Sequence, residues 1–298
     1  MRIALDLQAC QTASRHRGIG RYTLDLTGAL LSGGQGVDYS IGLDGTYPRE
    51  ANEVMAALDG RLSRDKWSRY YYAGPTQPHG HPADCLRPAA EVLCMNHYAG
   101  LAPDIVHANS LFEGFVEHAG GVAGLAQVPG AISSVTVYDF IPLVFSEQYL
   151  DNASYRSWYQ GRLQALQRFD VMLCISEATR RDAMRLLGIP AERLAVIHAG
   201  VGSEFTAKAL GAVERENLLK RFGIGGRFVI YTGNGDFRKN LIGAVDAFAR
   251  IAPSERSGVQ LVLNQVGDEQ ALRAFAQHAG LSANDLVITG KVSDADLV

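Results

Sequence analysis

The chain has 298 residues, 47% hydrophobic and 20% charged, with a net charge of -3. These are globular values with enough length for two domains, and they give no general electrostatic case for nucleic-acid binding. No apolar run is long enough to span a bilayer, and Met1-Arg2 leads straight into a short alternating strand that carries Asp6, unlike a signal peptide.

Residues 2–7 read as a strand, 20–31 as a helix, 39–43 as a strand and 49–58 as a helix. The run Tyr70-Tyr71-Tyr72 falls in a further predicted strand and reads as packing, not as a carbohydrate platform. Short apolar segments follow at 104–108, 132–138, 171–175 and 194–198, separated by stretches of helix length. That rhythm predicts a parallel sheet covered on both faces, with ligands at the carboxyl ends of its strands.

Near Gly200 the pattern breaks into a turn-rich stretch at 200–203, a charged helical piece at 214–222 and glycine punctuation at 223–226. The predicted organisation is therefore a first domain over 1–200, a linker over 201–226 and a second domain over 227–298. In the second, 227–233 reads as a buried strand and 240–251 as a helix with Leu241, Val245, Phe248 and Ile251 on one face. A strand at 259–263, a helix at 268–279 and a strand at 286–289 follow, and 293–298 looks like the start of another helix. Three strands make an incomplete doubly wound domain with an open sheet edge.

Cys10, Cys85, Cys94 and Cys174 are scattered without Cys-x-x-Cys or Cys/His ligand spacing, which fits a reduced cytosolic setting and no metal. Two loops carry the chemistry. Arg17-Gly18-Ile19-Gly20-Arg21 and the loop from Gly233 through Asn234, Gly235 and Asp236 to Arg238, Lys239 and Asn240 each lie between an apolar strand and a helix. Bare glycine backbone and a helix N-terminus form a seat for phosphate, so two seats suggest two nucleotide-type domains. Asn240 fits the N-cap position, with an arginine fork and a lysine point charge just before the first turn.

Here the chain resembles the retaining glycosyltransferases of the GT-B fold, family 4 type, whose second domain opens with a strand, a glycine loop and an Arg-Lys-Asn or Arg-Lys-Gly signature. The resemblance covers nearly the whole chain. It implies an α/β architecture of two Rossmann-like doubly wound domains, the second incomplete, in which Arg238 and Lys239 grip the diphosphate of a sugar nucleotide. Gly233, Gly235 and Asn240 would then serve the donor, as would the turn of Gly290 and Val292, which resembles the family's nucleobase-contacting turn. Segment 15–22 resembles the family's N-terminal glycine loop, where Arg17, Gly18 and Gly20 would approach the diphosphate and acceptor. It departs from Gly-x-Gly-x-x-Gly because Thr23 stands at the last position.

The segment Tyr138-Asp139-Phe140-Ile141-Pro142 resembles the family's His-Asp-Leu-Ile-Pro, with Tyr138 in the place of the histidine. A tyrosine can bond a sugar hydroxyl but does not titrate near neutral pH. Asp139 could orient the acceptor or act as a base; alternatively it caps the turn before Pro142. His107, at the end of another strand, is a substrate-side candidate beside a purely structural reading. Ser176 reads as an N-cap.

No cofactor is implied: the co-substrate would be a nucleotide diphosphate sugar, with GDP-mannose as first choice, and two cations at the loop make a metal unnecessary. The acceptor would be a glycan or a lipid-linked oligosaccharide in surface-polysaccharide assembly, met in the cytoplasm at the inner membrane face with peripheral membrane contact and no nucleic acid. The family's paired-glutamate motif, which holds sugar and ribose, is missing, so the chain reads as truncated. The rival reading is a truncated or degenerate GT-B module that binds glycan or a partner enzyme without turnover. A sugar-nucleotide epimerase of the same fold is disfavoured because its catalytic acids are not recognisable.

Overall fold

The computed structural model describes residues 1–298 except 35, 73, 80–85, 203, 204, 208, 209, 234 and 265, so Cys85, Ser203 and Asn234 lie outside the described residues. The chain divides into two compact units, Met1–Gly200 and Val201–Val298. In the first, strands β1 (Arg2–Asp6), β2 (Asp38–Asp44), β3 (Trp67–Tyr70), β4 (Ile105–Ala108), β5 (Ile132–Val137), β6 (Val171–Cys174) and β7 (Leu194–Val196) form one sheet. Its order is β3-β2-β1-β4-β5-β6-β7, and every pairing is parallel. The helices are α1 (Gly18–Gly33), α2 (Pro48–Ala57), α3 (Leu86–Gly100), the single turns α4 (Ile141–Val144) and α5 (Ser146–Tyr149), then α6 (Ala153–Leu166) and α7 (Glu177–Leu187). Parallel neighbours need a crossover, and each crossover returns the chain to the same edge, so every strand ends on one side.

Two apolar clusters flank this sheet. Ala4, Val106, Val135 and Met172 join α3 and α6 side chains in one, while Leu5, Leu7, Ile41 and Leu43 join Ala51, Val54 and Leu58 in the other. Neighbouring strand residues thus point to opposite clusters, as a sheet buried on both faces requires.

The carboxyl ends of β1, β2 and β3 are tied by buried polar groups. Tyr70 and Tyr98 each donate a hydroxyl to Asp6 at 3.0 Å, and the Gln8 backbone N–H donates to the same carboxylate at 3.1 Å. Tyr72 donates to Asp44 at 2.6 Å, and Gln8 Nε2 donates to it at 3.0 Å. The packing role expected for the tyrosine run holds for Tyr70 and Tyr72, whereas Tyr71 is 61% exposed.

In the second unit, β8 (Arg227–Thr232), β9 (Val259–Asn264) and β10 (Leu286–Ile288) form a parallel sheet in the order β10-β9-β8. Its helices are α8 (Ala212–Arg221), α9 (Leu241–Ala249), α10 (Pro253–Arg256), α11 (Glu269–His278) and α12 (Asp294–Leu297). Leu261, Leu263 and Leu286 pack with Val245 and Phe248 of α9 and Leu272 and Ala276 of α11. Two sequence expectations change. Strand β8 is present but not buried: Val229 and Ile230 are 53% and 48% exposed, because β8 is an edge strand paired only to β9 among the described residues. Helix α9 ends at Ala249, which leaves Ile251 exposed while Val245 and Phe248 are buried.

Asp6 supplies a test of the buried polar floor. Burial pushes its carboxyl from 3.8 up to about 7, against the lowering effect of Gln8 N–H, Tyr98 and Tyr70. A folded-state value above the unfolded one means that its contribution is fully present below about pH 4 and is lost as pH rises to about 7, a swing of at most about 4 kcal/mol. In thermal melts of wild type and Asp6→Asn across pH 4 to 7, wild type should therefore lose stability relative to the non-titrating Asn variant as pH rises; a constant difference would count against a titrating Asp6.

Candidate active site

After β1 the chain makes two 3-10 turns, Gln8–Cys10 and Ala13–His16, before α1 begins. The helix starts at Gly18, two residues ahead of the sequence expectation, so Gly18 and Gly20 both lie in its first turn. Arg17 holds the N-cap position in extended backbone (φ -121°, ψ 177°), with no side-chain cap and no acidic residue in the first turn. The first-turn amides lie outside the helix's own ladder and, with the helix dipole, favour an anion.

The two glycines differ in purpose. A side chain at Gly18 would meet nothing within 4 Å, whereas a Cβ at Gly20 would stand 2.4 Å from Arg15 Cα and 2.6 Å from Ser14 O. Gly20 is therefore required by packing of the helix on its own preceding turn; only Gly18 keeps the open approach expected of both.

The turn before α1 is fastened from the loop after β4. Glu113, which is buried, accepts from Thr12 Oγ1 at 2.6 Å and from Ser110 Oγ at 2.9 Å. Glu117 accepts from the Ala13 N–H at 2.7 Å. Burial raises the Glu113 carboxyl above its ordinary value, and the hydroxyls of Thr12, Ser110 and Ser14 oppose that rise. Sequence reasoning missed Glu113; the available signal was an acid inside the apolar stretch Leu111-Phe112-Glu113-Gly114-Phe115. Asn109, from the same loop, donates its Nδ2 to Asp6 O at 2.9 Å.

Tyr138 reaches this assembly. Its hydroxyl is 3.2 Å from Thr23 Oγ1 on α1, and its ring meets Tyr22 edge-on at 5.5 Å. Burial drives the phenol further up, so Tyr138 offers a hydrogen bond and no titration near neutral pH. Tyr22 donates in turn to His198 O at 3.3 Å, and His198 adopts φ +50° after β7. Asp139 is exposed, and its Oδ1 accepts from the Ile141 N–H at 3.0 Å, the turn-capping bond weighed from sequence. His107 stands apart: it is buried within the sheet, with Nδ1 2.9 Å from Ser134 Oγ and Nε2 3.1 Å from Thr136 Oγ1. Burial lowers its pKa to about 4, so the ring is neutral, with both nitrogens engaged inside the fold.

In the second unit, Asp236 organises the basic loop. Its carboxylate accepts from the Arg238 N–H at 3.0 Å, and from Arg238 Nε and Nη2 at 2.9 Å each. Lys239 is exposed, and its carbonyl accepts from the Tyr231 hydroxyl. Asn240 takes φ +49° and accepts from the Gly243 N–H at 3.1 Å, which makes it the N-cap of α9 as the sequence predicts. A Cβ at Gly235 would be 2.7 Å from Gly267 N, so the loops after β8 and β9 press together there, and one at Gly233 would strike the Tyr231 ring at 2.6 Å. Gly290 (φ +69°) and Val292 follow β10, two strands from β8. Asp294-Ala295-Asp296 has Asp-x-Asp spacing, and Asp296 is held by Arg221 and Ser293.

Two parallel α/β units, each with a glycine-bearing loop between its first strand and the next helix, define the architecture of GT-B glycosyltransferases. Residues 16–205 match Glycosyltransferase Family 4, more than half of the chain, and the chain belongs to that family. The serotype-specific mannosyltransferase WbdA of Escherichia coli is 27% identical over 307 residues, an alignment that covers 100% of this chain and 36% of WbdA. The chain thus spans about a third of the length of the curated relatives it matches. Among solved structures, Anabaena Alr3699/HepE in complex with UDP and glucose superposes with a TM-score of 0.62 at 15% identity, over 100% of this chain and 71% of that one. WaaG, a glycosyltransferase involved in lipopolysaccharide biosynthesis, superposes with a TM-score of 0.56 at 14% identity, over 99% and 72%.

The glycine geometry is directly testable by thermal melts. Gly20→Ala should destabilise by roughly 1–3 kcal/mol through overpacking, while Gly18→Ala should stay within about 0.5 kcal/mol of wild type. Equal losses would contradict the assigned division of labour.

Proposed function

We propose that this chain acts in a retaining mannosyltransferase, which moves a hexose from GDP-mannose to a glycan or lipid-linked acceptor during surface-polysaccharide assembly. The observation that carries the reading is similarity to WbdA along the whole chain, combined with family membership. The uncapped first turn of α1 with open space at Gly18, and the Asp236-ordered Arg238 beside Lys239 and the Asn240 cap, both support diphosphate recognition. Retention and the choice of GDP-mannose extend the family resemblance and the relatives' names. The site of action proposed with them is the cytoplasm at the inner membrane face, by peripheral contact; among the described residues no helix is long and apolar enough to cross a membrane.

The chemistry asked of these residues is leaving-group stabilisation. Charge grows on the diphosphate as the glycosidic bond breaks, so cations placed there act more strongly in the transition state than in the ground state. Gly290 and Val292 would meet the nucleobase through backbone groups, and Arg17 and Tyr138 the sugar or acceptor side. Asp139 would orient the acceptor; its bond to Ile141 N–H fixes one oxygen in a turn that continues directly into α4.

Arg238→Ala and Lys239→Ala should each lower turnover with GDP-mannose by roughly 10²- to 10³-fold with little change in acceptor KM. Steady-state assays with a mannose-oligosaccharide acceptor would measure this, and NMR of the new anomeric linkage would test retention. Near-normal turnover in both variants would sink the assignment and favour the non-catalytic module.

A further inference from the structure

We propose that Asp236 is a positioning residue for leaving-group stabilisation: it acts through Arg238, whose guanidinium it fixes in one orientation before the diphosphate arrives. The inference deepens the donor-site reading and rests on it.

The loop after β8 is tied at both ends. Asp236 caps the 3-10 turn Phe237–Lys239 by accepting from the Arg238 N–H at 3.0 Å. Behind it the backbone at Gly235 is pressed against the loop after β9, so that a Cβ there would stand 2.7 Å from Gly267 N. At the far end the Tyr231 hydroxyl donates to the Lys239 carbonyl, and Asn240 caps α9 from left-handed backbone. Arg238 therefore springs from a fixed stretch of main chain.

A fixed main chain does not by itself fix an arginine side chain, whose rotamer freedom is among the largest of any residue. Asp236 removes that freedom. The carboxylate that caps the turn also accepts from Arg238 Nε and Nη2 at 2.9 Å each, a two-pronged pair that sets the plane of the guanidinium as well as its place. The Arg238 and Asp236 side chains are 27% and 20% exposed, so the pair is partly sheltered from water and still within reach of a ligand.

By charge alone Asp236 opposes a diphosphate, because a carboxylate beside Arg238 repels the ligand that Arg238 attracts. Its presence calls for a compensating gain. A guanidinium carries five N–H donors in one plane, so a carboxylate can hold one edge while the fork also meets phosphate oxygens. A donor already oriented need not be moved as the glycosidic bond breaks, and that gain falls in the transition state, where leaving-group charge develops.

Two substitutions separate the cap from the grip. Asparagine caps a turn as well as aspartate does, so Asp236→Asn should melt within about 2 °C of wild type. Its one remaining carboxamide oxygen cannot reproduce the charged two-pronged pair, so turnover with GDP-mannose should fall roughly tenfold or more, with little change in acceptor KM. A carboxylate that mattered only as a local negative charge would give the opposite sign: tighter donor binding and no loss of turnover. Asp236→Ala should approach the loss seen in Arg238→Ala, and the double variant should be at most about twofold worse than Arg238→Ala alone, because groups that act as a unit are not additive. Losses that multiply in the double variant, or normal turnover in Asp236→Asn, would overturn the proposal. Calorimetric titration with GDP, the leaving group itself, repeats the comparison where turnover is too slow to follow, with the same order expected among the affinities. Arg238→Ala indistinguishable from wild type in both assays would remove the donor-site reading, whereas an impaired Arg238→Ala beside a normal Asp236→Asn would remove this inference alone.

Discussion

Strand β1 is hydrogen-bonded in parallel on both sides, from Arg2–Asp6 to Asp38–Asp44 on one flank and to Ile105–Ala108 on the other, and the arrangement of the first unit depends on that double pairing. The crossover to β2 and the later return to β4 run in opposite directions across the sheet, so the loops that follow β1 and β4 open side by side. Their contacts are specific. Asn109 reaches the Asp6 carbonyl, Glu113 takes the Thr12 hydroxyl and Glu117 takes the Ala13 amide. The helix start that carries Gly18 is therefore held from a neighbouring loop.

Beneath that helix start the core is unusually polar. Asp6 and Asp44 are buried with three tyrosine hydroxyls and Gln8, and His107 bridges Ser134 and Thr136 within the sheet. Such groups gain little net stability over apolar packing, but each satisfied bond admits only one geometry. The network fixes the strand ends from which the functional loops depart. A leaving diphosphate needs donors already in place, since reorganising them during reaction would spend the stabilisation they provide.

The second unit uses a different device. Its three strands bury one apolar cluster under α9 and α11, and the loop after β8 is shaped by close backbone approach and local bonds. Gly235 lies against Gly267, Asp236 grips the Arg238 guanidinium twice and its backbone amide once, and Asn240 in left-handed backbone turns the chain into α9. All of this occurs within about eight residues plus one contact from the next loop, which explains why a short sequence signature can mark it.

That locality separates what could be read from sequence from what could not. Alternating strand and helix periods announced the parallel α/β architecture, and the caps at Ser176 and Asn240 act on amides three residues away, so the chain order alone reveals them. The role of Gly20, the burial of Glu113, the closed histidine at 107 and the half-exposed β8 depend on neighbours brought up by folding. No local pattern carries their partners: Glu113 meets Thr12 across 101 residues of chain. Sequence periodicity determined which elements form, because backbone hydrogen bonding and side-chain period are local; tertiary packing decided which polar groups are spent on the fold and which remain for a ligand, because that depends on contacts between distant segments.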